Sequence, residues 1–265
     1  PAIAVEARSA HGAGDMFAGA LAARLAAGET VRDALSFATG AAALFVASAE
    51  RAIAAKGVFS VALSGGSTPK AMHQLLATEF KDAIDWVNVE VFFGDERCVP
   101  PDSELSNYRM ARETLLDRVP IPLDNIYRMR GEIDPNEAAK LYGLQLKDIF
   151  GDGGIDLVYL GMGDDGHTAS LFPGTSAVDE TEHRCVANHV PHDYIPKGTA
   201  WRVTLTAPFI NRAACVAILC TGAAKAERLS QVLEGDEDPR VLPIKLINPD
   251  SGQLYWLLDS AAAGM

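Results

Sequence analysis

From Val58 onward, short apolar runs alternate with longer segments of helical periodicity, and this alternation narrows the possible folds more than any other feature of the chain. Several runs, such as ACVAIL at Ala214–Leu219, are apolar throughout, which is typical of strands covered on both faces. Strands and helices in alternation predict an α/β fold with a mostly parallel sheet covered by helices on both faces. The predicted strands are Phe59–Leu63, Val89–Phe93, Ile155–Leu160, Arg202–Leu205, Ala214–Leu219 and Leu254–Leu258. The predicted helices are Thr68–Phe80, Asn107–Leu116, Asn136–Phe150 and Ala223–Leu233.

The first 57 residues differ from the rest in being rich in alanine. A strand-like opening at Ile3–Val5 precedes two helical stretches, Gly14–Ala27 and Thr30–Lys56, which Gly28 separates. We therefore expect two units: residues 1–43 as an atypical N-terminal segment, and residues 44–265 as the main domain, on which that segment packs.

Composition and charge exclude several classes of partner. The 265 residues are 48% hydrophobic, which is ordinary for a folded chain and too high for a disordered one. The 35 acidic residues outnumber the 23 basic ones, for a net charge of −12, so the surface repels nucleic acid and anionic membranes. The charge-free stretch Ala34–Ala49 is too short to span a bilayer core of roughly 30 Å. We predict a small-molecule partner, without nucleic acid and without a membrane. A small anionic substrate would require a local cluster of basic groups.

The cysteines and histidines indicate neither a disulfide framework nor a metal site. Cys98, Cys185, Cys215 and Cys220 lack zinc-ligand spacing and are predicted to be reduced thiols of a cytoplasmic protein without a secretory leader. Three histidines, His183, His189 and His192, are close enough in the sequence to be considered as metal ligands. They lack a tight ligand signature, so no metal is predicted.

Two loops that follow predicted strands carry groups suited to an anion. The segment SGGSTP at Ser64–Pro69 combines adjacent glycines with the start of a helix, where free N–H groups favour a phosphate and where Ser67 or Thr68 can cap the helix. A plain strand-to-helix turn is the alternative. In GDERC at Gly94–Cys98, Arg97 can bind a phosphate or carboxylate, or be held in a structural ion pair by the neighbouring acids.

Two further loops carry a histidine and a lysine. In Gly161–Gly174, the sequence GMGDDG satisfies the dinucleotide-binding pattern, but Phe172–Gly174 leave little room for the helix that pattern requires. What remains is His167, flanked by acids on a glycine-rich loop, as a candidate proton acceptor or an ordinary exposed loop residue. In Thr221–Lys225, Lys225 lies near the sheet edge, or is a solvated helix residue.

Taken together, these loops resemble the 6-phosphogluconolactonases from about residue 41 to residue 259. The matching strings, in family order, are SGGSTPK, GDERCVPPDSELSNYRMARETLL, GMGDDGHTASLFPG, WRVTLT and TGAAKA. The resemblance implies the Rossmann-like fold that 6-phosphogluconolactonases share with glucosamine-6-phosphate deaminases and ribose-5-phosphate isomerases. It also implies hydrolysis of 6-phospho-D-glucono-1,5-lactone to 6-phospho-D-gluconate in the pentose phosphate pathway, with no metal or organic cofactor.

Other sugar-phosphate functions remain as alternatives. Glucosamine-6-phosphate deaminases have a related GxDGHxA loop but continue with an Asn-Glu-Pro stretch, whereas this chain reads SLFPG. A non-catalytic sugar-phosphate-binding protein would share the same anchors. Residues Gly12–Leu44 resemble instead the C-terminal signature of ribokinase-like sugar kinases, in which an aspartate at the position of Asp15 acts as base. Because the rest of a kinase domain is missing from the match, we do not expect Asp15 to act as one.

The resemblance and the loop chemistry together define a candidate site. His167 is expected to take a proton from the attacking water, with Asp165 orienting its ring. Basic side chains and backbone N–H groups are expected to hold the substrate phosphate. The candidate substrate-binding residues are Ser64, Gly65, Gly66, Ser67, Thr68, Arg97, Arg202 and Lys225.

Overall fold

The computed structural model describes residues 3–7, 32–191 and 200–264, with side chains assigned from residue 37 onward. A central sheet of six strands has the order β1-β9-β8-β5-β2-β3, and a second sheet of three strands has the order β4-β7-β6. The strands are β1 (Ile3–Ala7), β2 (Phe59–Leu63), β3 (Val89–Phe93), β4 (Asp95–Arg97), β5 (Leu157–Gly161), β6 (Cys185–His189), β7 (Trp201–Leu205), β8 (Cys215–Cys220) and β9 (Gln253–Leu258).

Every neighbouring pair in the central sheet is parallel except β1 with β9, which is antiparallel. Two apolar clusters pack on its two faces, and successive residues of β2 contribute to opposite clusters: Val61 to one and Ala62 to the other. The helices are α1 (Arg32–Lys56), α2 (Ser67–Ala77), α3 (Asn107–Thr114), α4 (Pro135–Phe150), α5 (Ala207–Ile210) and α6 (Ala226–Glu234). The prediction of a mostly parallel sheet with helices on both faces is confirmed.

The small sheet corrects the sequence prediction at two places. The run predicted at Arg202–Leu205 forms β7, but β7 pairs antiparallel with β4 and β6 rather than joining the central sheet. Its sequence alternates between polar and apolar side chains, as expected of a strand with one face on the core. Asp95–Arg97, predicted as part of a loop, forms β4. A strand of three residues is too short to show a period in its sequence.

Helix α1 covers one face of the central sheet. By length and composition, Phe37–Lys56 is apolar enough to cross a membrane. In the structure the ring of Phe45 packs edge-on against Phe59 of β2, with ring centroids 5.2 Å apart. The hydroxyl of Tyr159 on β5 donates a hydrogen bond of 2.7 Å to the carbonyl of Ala41. The apolar side of α1 is therefore part of the core.

The N-terminal predictions are partly outside the described residues. The strand predicted at Ile3–Val5 is found as β1, in register with β9 from Ile3 opposite Leu258. The helix predicted at Gly14–Ala27 lies outside the described residues. The division at residues 43 and 44 stays a prediction, and α1 runs continuously across it.

Local sequence explains where α4 begins and ends. The carboxylate of Asp134 accepts hydrogen bonds of 3.0 Å from the backbone N–H groups of Asn136 and Glu137, and Pro135 occupies the first turn. Gly151 ends the helix with φ of 53°, a conformation that glycine adopts without strain.

Candidate active site

The four loops singled out in the sequence follow β2, β3, β5 and β8, which are mutually parallel neighbours. Parallel strands have their carboxyl ends at one edge of the sheet, so all four loops lie along the same rim. Side-chain contacts then connect each loop to the next.

Two contacts join the first, third and fourth loops. The hydroxyl oxygens of Thr68 and Thr221 lie 3.2 Å apart, which connects the start of α2 to the loop after β8. Lys225 forms an ion pair with Asp164 on the loop after β5. Arg228 supports the same loop by donating from Nε to the carbonyl of Asp164 over 2.8 Å. Lys225 is thus at the rim but neutralised by an exposed carboxylate.

Two further contacts join the second loop to the others. Ser170, on the loop after β5, donates from Oγ to Asp95 Oδ2 of β4 over 2.6 Å. Asn107, the first residue of α3, donates from Nδ2 to Asp95 Oδ1 over 3.0 Å. A Cβ built on Gly65 would lie 1.8 Å from Asn107 Oδ1, so the backbone of the first loop lies directly against that amide. The contacts therefore close a ring around the rim.

His167 and Asp165 are in direct contact. The distance between His167 Nδ1 and Asp165 Oδ1 is 2.6 Å, and the same oxygen accepts from the backbone N–H of His167 over 3.1 Å. Burial alone would raise the pKa of Asp165, but hydrogen bonds and the charge of His167 outweigh it, so the pKa is lowered. Since an ionised carboxylate only accepts, Nδ1 carries the proton and Nε2 is the basic nitrogen. The ring also stacks on Phe172, with centroids 4.0 Å apart.

Two glycines shape this loop around the histidine. A Cβ on Gly163 would lie 2.1 Å from His167 Nδ1, so a larger residue would displace the ring. Gly166 has φ of 81° and donates its N–H to the carbonyl of Gly163, closing the turn that carries Asp165. The glycines of GMGDDG therefore make room for the histidine turn rather than opening a dinucleotide-binding helix.

Arg97 is held at the rim by two acceptors. Its Nη1 donates to the carbonyl of Leu105 over 3.0 Å and to Asn107 Oδ1 over 2.5 Å. The neighbouring Glu96 points the other way and caps α3, accepting from the backbone N–H groups of Asn107 and Tyr108. The sequence left open whether the acids of GDERC pair with Arg97. In the structure the carboxylate of Glu96 binds the first backbone N–H groups of α3.

Arg202 lies opposite Arg97 in the small sheet, as its register partner on β7. It is 7% exposed, and burial, opposed by the nearby charge of Asp95, lowers the pKa of its guanidinium. Two arginines on neighbouring strands, one of them buried, concentrate positive charge at one point of an acidic protein.

The start of α2 differs from the sequence prediction. Gly66 is the N-cap residue with φ of 106°, and no side chain of the described residues caps the helix. The expected cap from Ser67 or Thr68 is therefore wrong, because the helix begins at Ser67 and the Thr68 hydroxyl turns to Thr221. Ser64 is buried, and within the described ranges its hydroxyl has no hydrogen-bond partner. Uncapped N–H groups beside a buried hydroxyl suit an anion.

Sequence reasoning missed Asp95, Asn107 and Ser170, which connect the loops. All three lie inside strings that carried the family resemblance, but a single aspartate, asparagine or serine has no pattern that indicates whether it joins two loops. Their positions in those strings were the available signal.

The contacts of His183 and His189, two of the histidines considered as metal ligands, involve none of the residues that join the four loops. His183 Nδ1 lies 3.2 Å from a carboxylate oxygen of Glu180, and the ring of His189 contacts Trp201 edge-on. His192 lies outside the described residues. Over residues 37–191 and 200–264, no group of three histidine, cysteine, aspartate or glutamate side chains is placed to hold a metal ion.

Comparison with known proteins agrees with this architecture. The sequence profile of the glucosamine-6-phosphate isomerases/6-phosphogluconolactonase family matches residues 32–256, and that of the pfkB family carbohydrate kinases matches residues 1–55. A 6-phosphogluconolactonase of Synechocystis sp. is 41% identical over 218 residues, covering 80% of this chain and 86% of the relative.

Solved structures show the same likeness. The 6-phosphogluconolactonase of Trypanosoma brucei is 31% identical, with a TM-score of 0.76 over 87% of this chain and 95% of its own. A monomeric glucosamine-6-phosphate deaminase, 22% identical over 86% of this chain and 95% of its own, shares the fold with a TM-score of 0.71. These matches confirm the resemblance drawn from the loop sequences, and the chain belongs to the glucosamine-6-phosphate isomerase/6-phosphogluconolactonase family.

Proposed function

We propose that this protein hydrolyses 6-phospho-D-glucono-1,5-lactone to 6-phospho-D-gluconate, with His167 as general base. The observation that carries the proposal is the 2.6 Å contact between His167 Nδ1 and Asp165 Oδ1, on the same rim as Arg97 and the open start of α2. The names of the relatives support the substrate, since the Synechocystis and Trypanosoma brucei proteins are both 6-phosphogluconolactonases.

The phosphate of the substrate is the part that anchors it. Arg97 and Arg202 supply charge, and the backbone N–H groups at Gly65–Thr68 supply donors at the start of α2. Lys225 adds to the positive potential once the anion competes with Asp164 for it. Binding energy from the phosphate, which does not react, fixes the lactone ring relative to His167.

The reaction itself requires one proton acceptor and one site for the oxyanion. His167 Nε2 takes a proton from water as the water oxygen forms a bond to C1, and the carbonyl electrons move to its oxygen. The candidates to stabilise that oxyanion are backbone N–H groups of the glycine-rich loop. When the carbonyl reforms, the bond from C1 to the ring oxygen breaks, and the ring oxygen receives the proton from His167. Asp165 keeps the ring in the tautomer that this exchange needs.

A deaminase is the second candidate, because a glucosamine-6-phosphate deaminase shares the fold and the sequence resemblance implies the same phosphate anchors. The sequence SLFPG after His167, in place of an Asn-Glu-Pro stretch, favours the lactonase. Among the solved structures, identity of 31% to a lactonase against 22% to the deaminase points the same way.

The deciding experiment follows acid release from freshly generated 6-phosphogluconolactone, corrected for spontaneous hydrolysis. A parallel assay measures ammonia release from glucosamine-6-phosphate. Lactone turnover without ammonia supports the proposal, whereas ammonia release supports the deaminase. Binding of 6-phosphogluconate with neither activity would indicate a sugar-phosphate-binding protein.

The reaction as proposed uses water and protein groups, with no metal or organic cofactor. A cytoplasmic location stays a prediction, supported by the free thiols at Cys98, Cys185, Cys215 and Cys220.

A further inference from the structure

We propose that Ser170 is a positioning residue for His167: it holds the loop after β5, which carries His167, against all three strands of the small sheet. The proposal rests on the proposed function, because it assigns Ser170 a part in the same reaction. Ser170 is 1% exposed and lies three residues after His167, so it does not reach substrate from the surface.

Each polar group of Ser170 binds a different strand. Its backbone N–H donates to Thr204 Oγ1 of β7 over 3.2 Å. Its hydroxyl donates to Asp95 Oδ2 of β4 over 2.6 Å, and its carbonyl accepts from Asn188 Nδ2 of β6 over 2.8 Å. Three partners on three strands fix both the position and the orientation of this peptide.

These partners are on the face of the small sheet that carries the arginines. Side chains alternate between the two faces of a strand, and register partners share a face. Asp95 is the register partner of Thr204, two residues before the pair formed by Arg97 and Arg202. Asn188 is in turn the register partner of Arg202. Ser170 is thus fastened to the surface that presents the phosphate anchors, which fixes the distance between those anchors and the imidazole.

The loop between His167 and Ser170 is strained, and strain persists only where the surroundings hold it. Ala169 has φ of 47°, the left-handed region that residues other than glycine rarely adopt. On one side of it, the Thr168 hydroxyl donates to the carbonyl of Gly161, at the end of β5, over 2.8 Å. On the other side of Ala169, Ser170 binds the small sheet. The strained turn is therefore held between the two sheets, and the hydrogen bonds of Ser170 connect it to the smaller one.

Ser60 provides a matched control elsewhere in the fold. It is also 1% exposed, and its hydroxyl donates to a carboxylate, Asp156 Oδ2, over 2.8 Å. Ser60 is near the amino end of β2, at the opposite edge of the sheet from the rim. Both Ser60→Ala and Ser170→Ala remove a buried hydroxyl from a carboxylate, so both should lower the melting temperature.

Steady-state kinetics on 6-phosphogluconolactone separate the two variants. Ser170→Ala should lower kcat by about 10- to 100-fold, because a small displacement of the base costs that much, while KM changes less than about threefold. Ser60→Ala should keep the wild-type kcat. If Ser170→Ala does not fold, Thr204→Val, which removes the partner of the Ser170 N–H, should lower kcat in the same way. Wild-type kcat in the folded variant, or a loss confined to KM, would overturn the proposal.

Hydrogen exchange supplies a readout that does not depend on activity. The N–H of Gly163 donates to the carbonyl of His167 over 2.8 Å, so its exchange reports on the histidine turn. Ser170→Ala should speed exchange at Gly163 by at least about tenfold, and Ser60→Ala should leave it unchanged. Equal exchange in the two variants would refute the positioning role even if lactone hydrolysis is established. A wild-type protein without lactonase activity would refute the proposed function and leave this measurement to decide whether Ser170 holds the loop.

Discussion

Arg97 on β4 and Arg202 on β7 face each other as register partners of an antiparallel pair. Like charges directly opposite one another destabilise a sheet. The carboxylate of Asp95, the other charged residue on that face of β4, opposes the lowering of the Arg202 pKa by burial and so offsets part of the repulsion. In the proposed function, an anion binds between the two guanidinium groups and compensates for this repulsion.

Replacing Arg97 with alanine should weaken capture of the phosphorylated substrate. We expect KM for 6-phosphogluconolactone to rise by about 10- to 100-fold, since a charge-assisted hydrogen bond is worth about 1.5–3 kcal/mol. Hydrolysis of unphosphorylated gluconolactone should change little. The measurement is kcat and KM for both lactones.

Arg109→Ala is the control for that variant, because Arg109 forms an exposed ion pair with Glu113 on α3. It should leave both KM values unchanged. An equal loss on both lactones in Arg97→Ala would mean that Arg97 does not bind phosphate.

Replacing His167 with alanine should remove the general base. We expect kcat to fall by about two to four orders of magnitude with the melting temperature nearly unchanged, because the ring is part-exposed on a loop. His183→Ala is the control, because His183 is exposed and lies two residues before β6. This variant should retain full activity. Near-wild-type turnover in His167→Ala would exclude the proposed role.

Much of the fold was predictable because the central strands are buried on both faces. Phe59–Leu63 and Val89–Phe93 were found with the predicted bounds, and the run at Ala214–Leu219 is shifted by one residue. The small sheet was not predictable in full, because β4 has three residues and its pairing with β7 joins segments far apart in the sequence.

The site shows the same division. His167 and Asp165 are two residues apart, so their contact follows from one turn, and the sequence indicated it. Arg97 and Arg202 face each other because of the strand register, and Asn107 and Ser170 make their contacts through tertiary packing. No local sequence pattern encodes the register or these contacts. The roles assigned to these residues stay predictions until variants are measured.

The buried His73 should make the protein less stable in mild acid. Its Nδ1 lies 3.0 Å from Thr114 Oγ1, and within the described part of the chain Nε2 has no hydrogen-bond partner. Burial lowers the pKa of His73 to about 4, so the unfolded chain takes up a proton first as the pH falls from 6.5. The stabilisation that depends on a neutral His73 is therefore fully present above pH 6.5 and is lost progressively as the pH falls to about 4.

Urea unfolding at pH 7.0, 6.0 and 5.0 measures this effect. Between pH 6 and 5 the free energy of unfolding should fall by about 1 kcal/mol more in the wild type than in His73→Asn. The exposed His183→Asn variant should keep the wild-type slope. Identical slopes in the wild type and His73→Asn would contradict a buried neutral histidine.

Replacing Gly65 with alanine should disturb both Arg97 and the loop after β2 that carries Gly65. The new Cβ would lie 1.8 Å from Asn107 Oδ1, and Asn107 is the acceptor for Arg97. We expect a lower melting temperature and a KM at least about tenfold higher. Gly143→Ala on α4, where the Cβ meets ordinary contacts at 3.9 Å, should leave KM unchanged and should not lower the melting temperature, because alanine is favoured over glycine inside a helix. Unchanged KM in Gly65→Ala would separate the loop from substrate binding.

In the proposed function, the phosphate anchors and the imidazole converge on one ligand at this rim. A crystal structure of the wild-type protein with bound 6-phosphogluconate would show where each end of that ligand lies. The account predicts the phosphate within hydrogen-bond distance of Arg97 and the N–H groups of Gly65–Thr68, and the C1 carboxylate beside Nε2 of His167. A ligand bound elsewhere, or one whose phosphate lies at His167 with C1 directed away from it, would contradict the account.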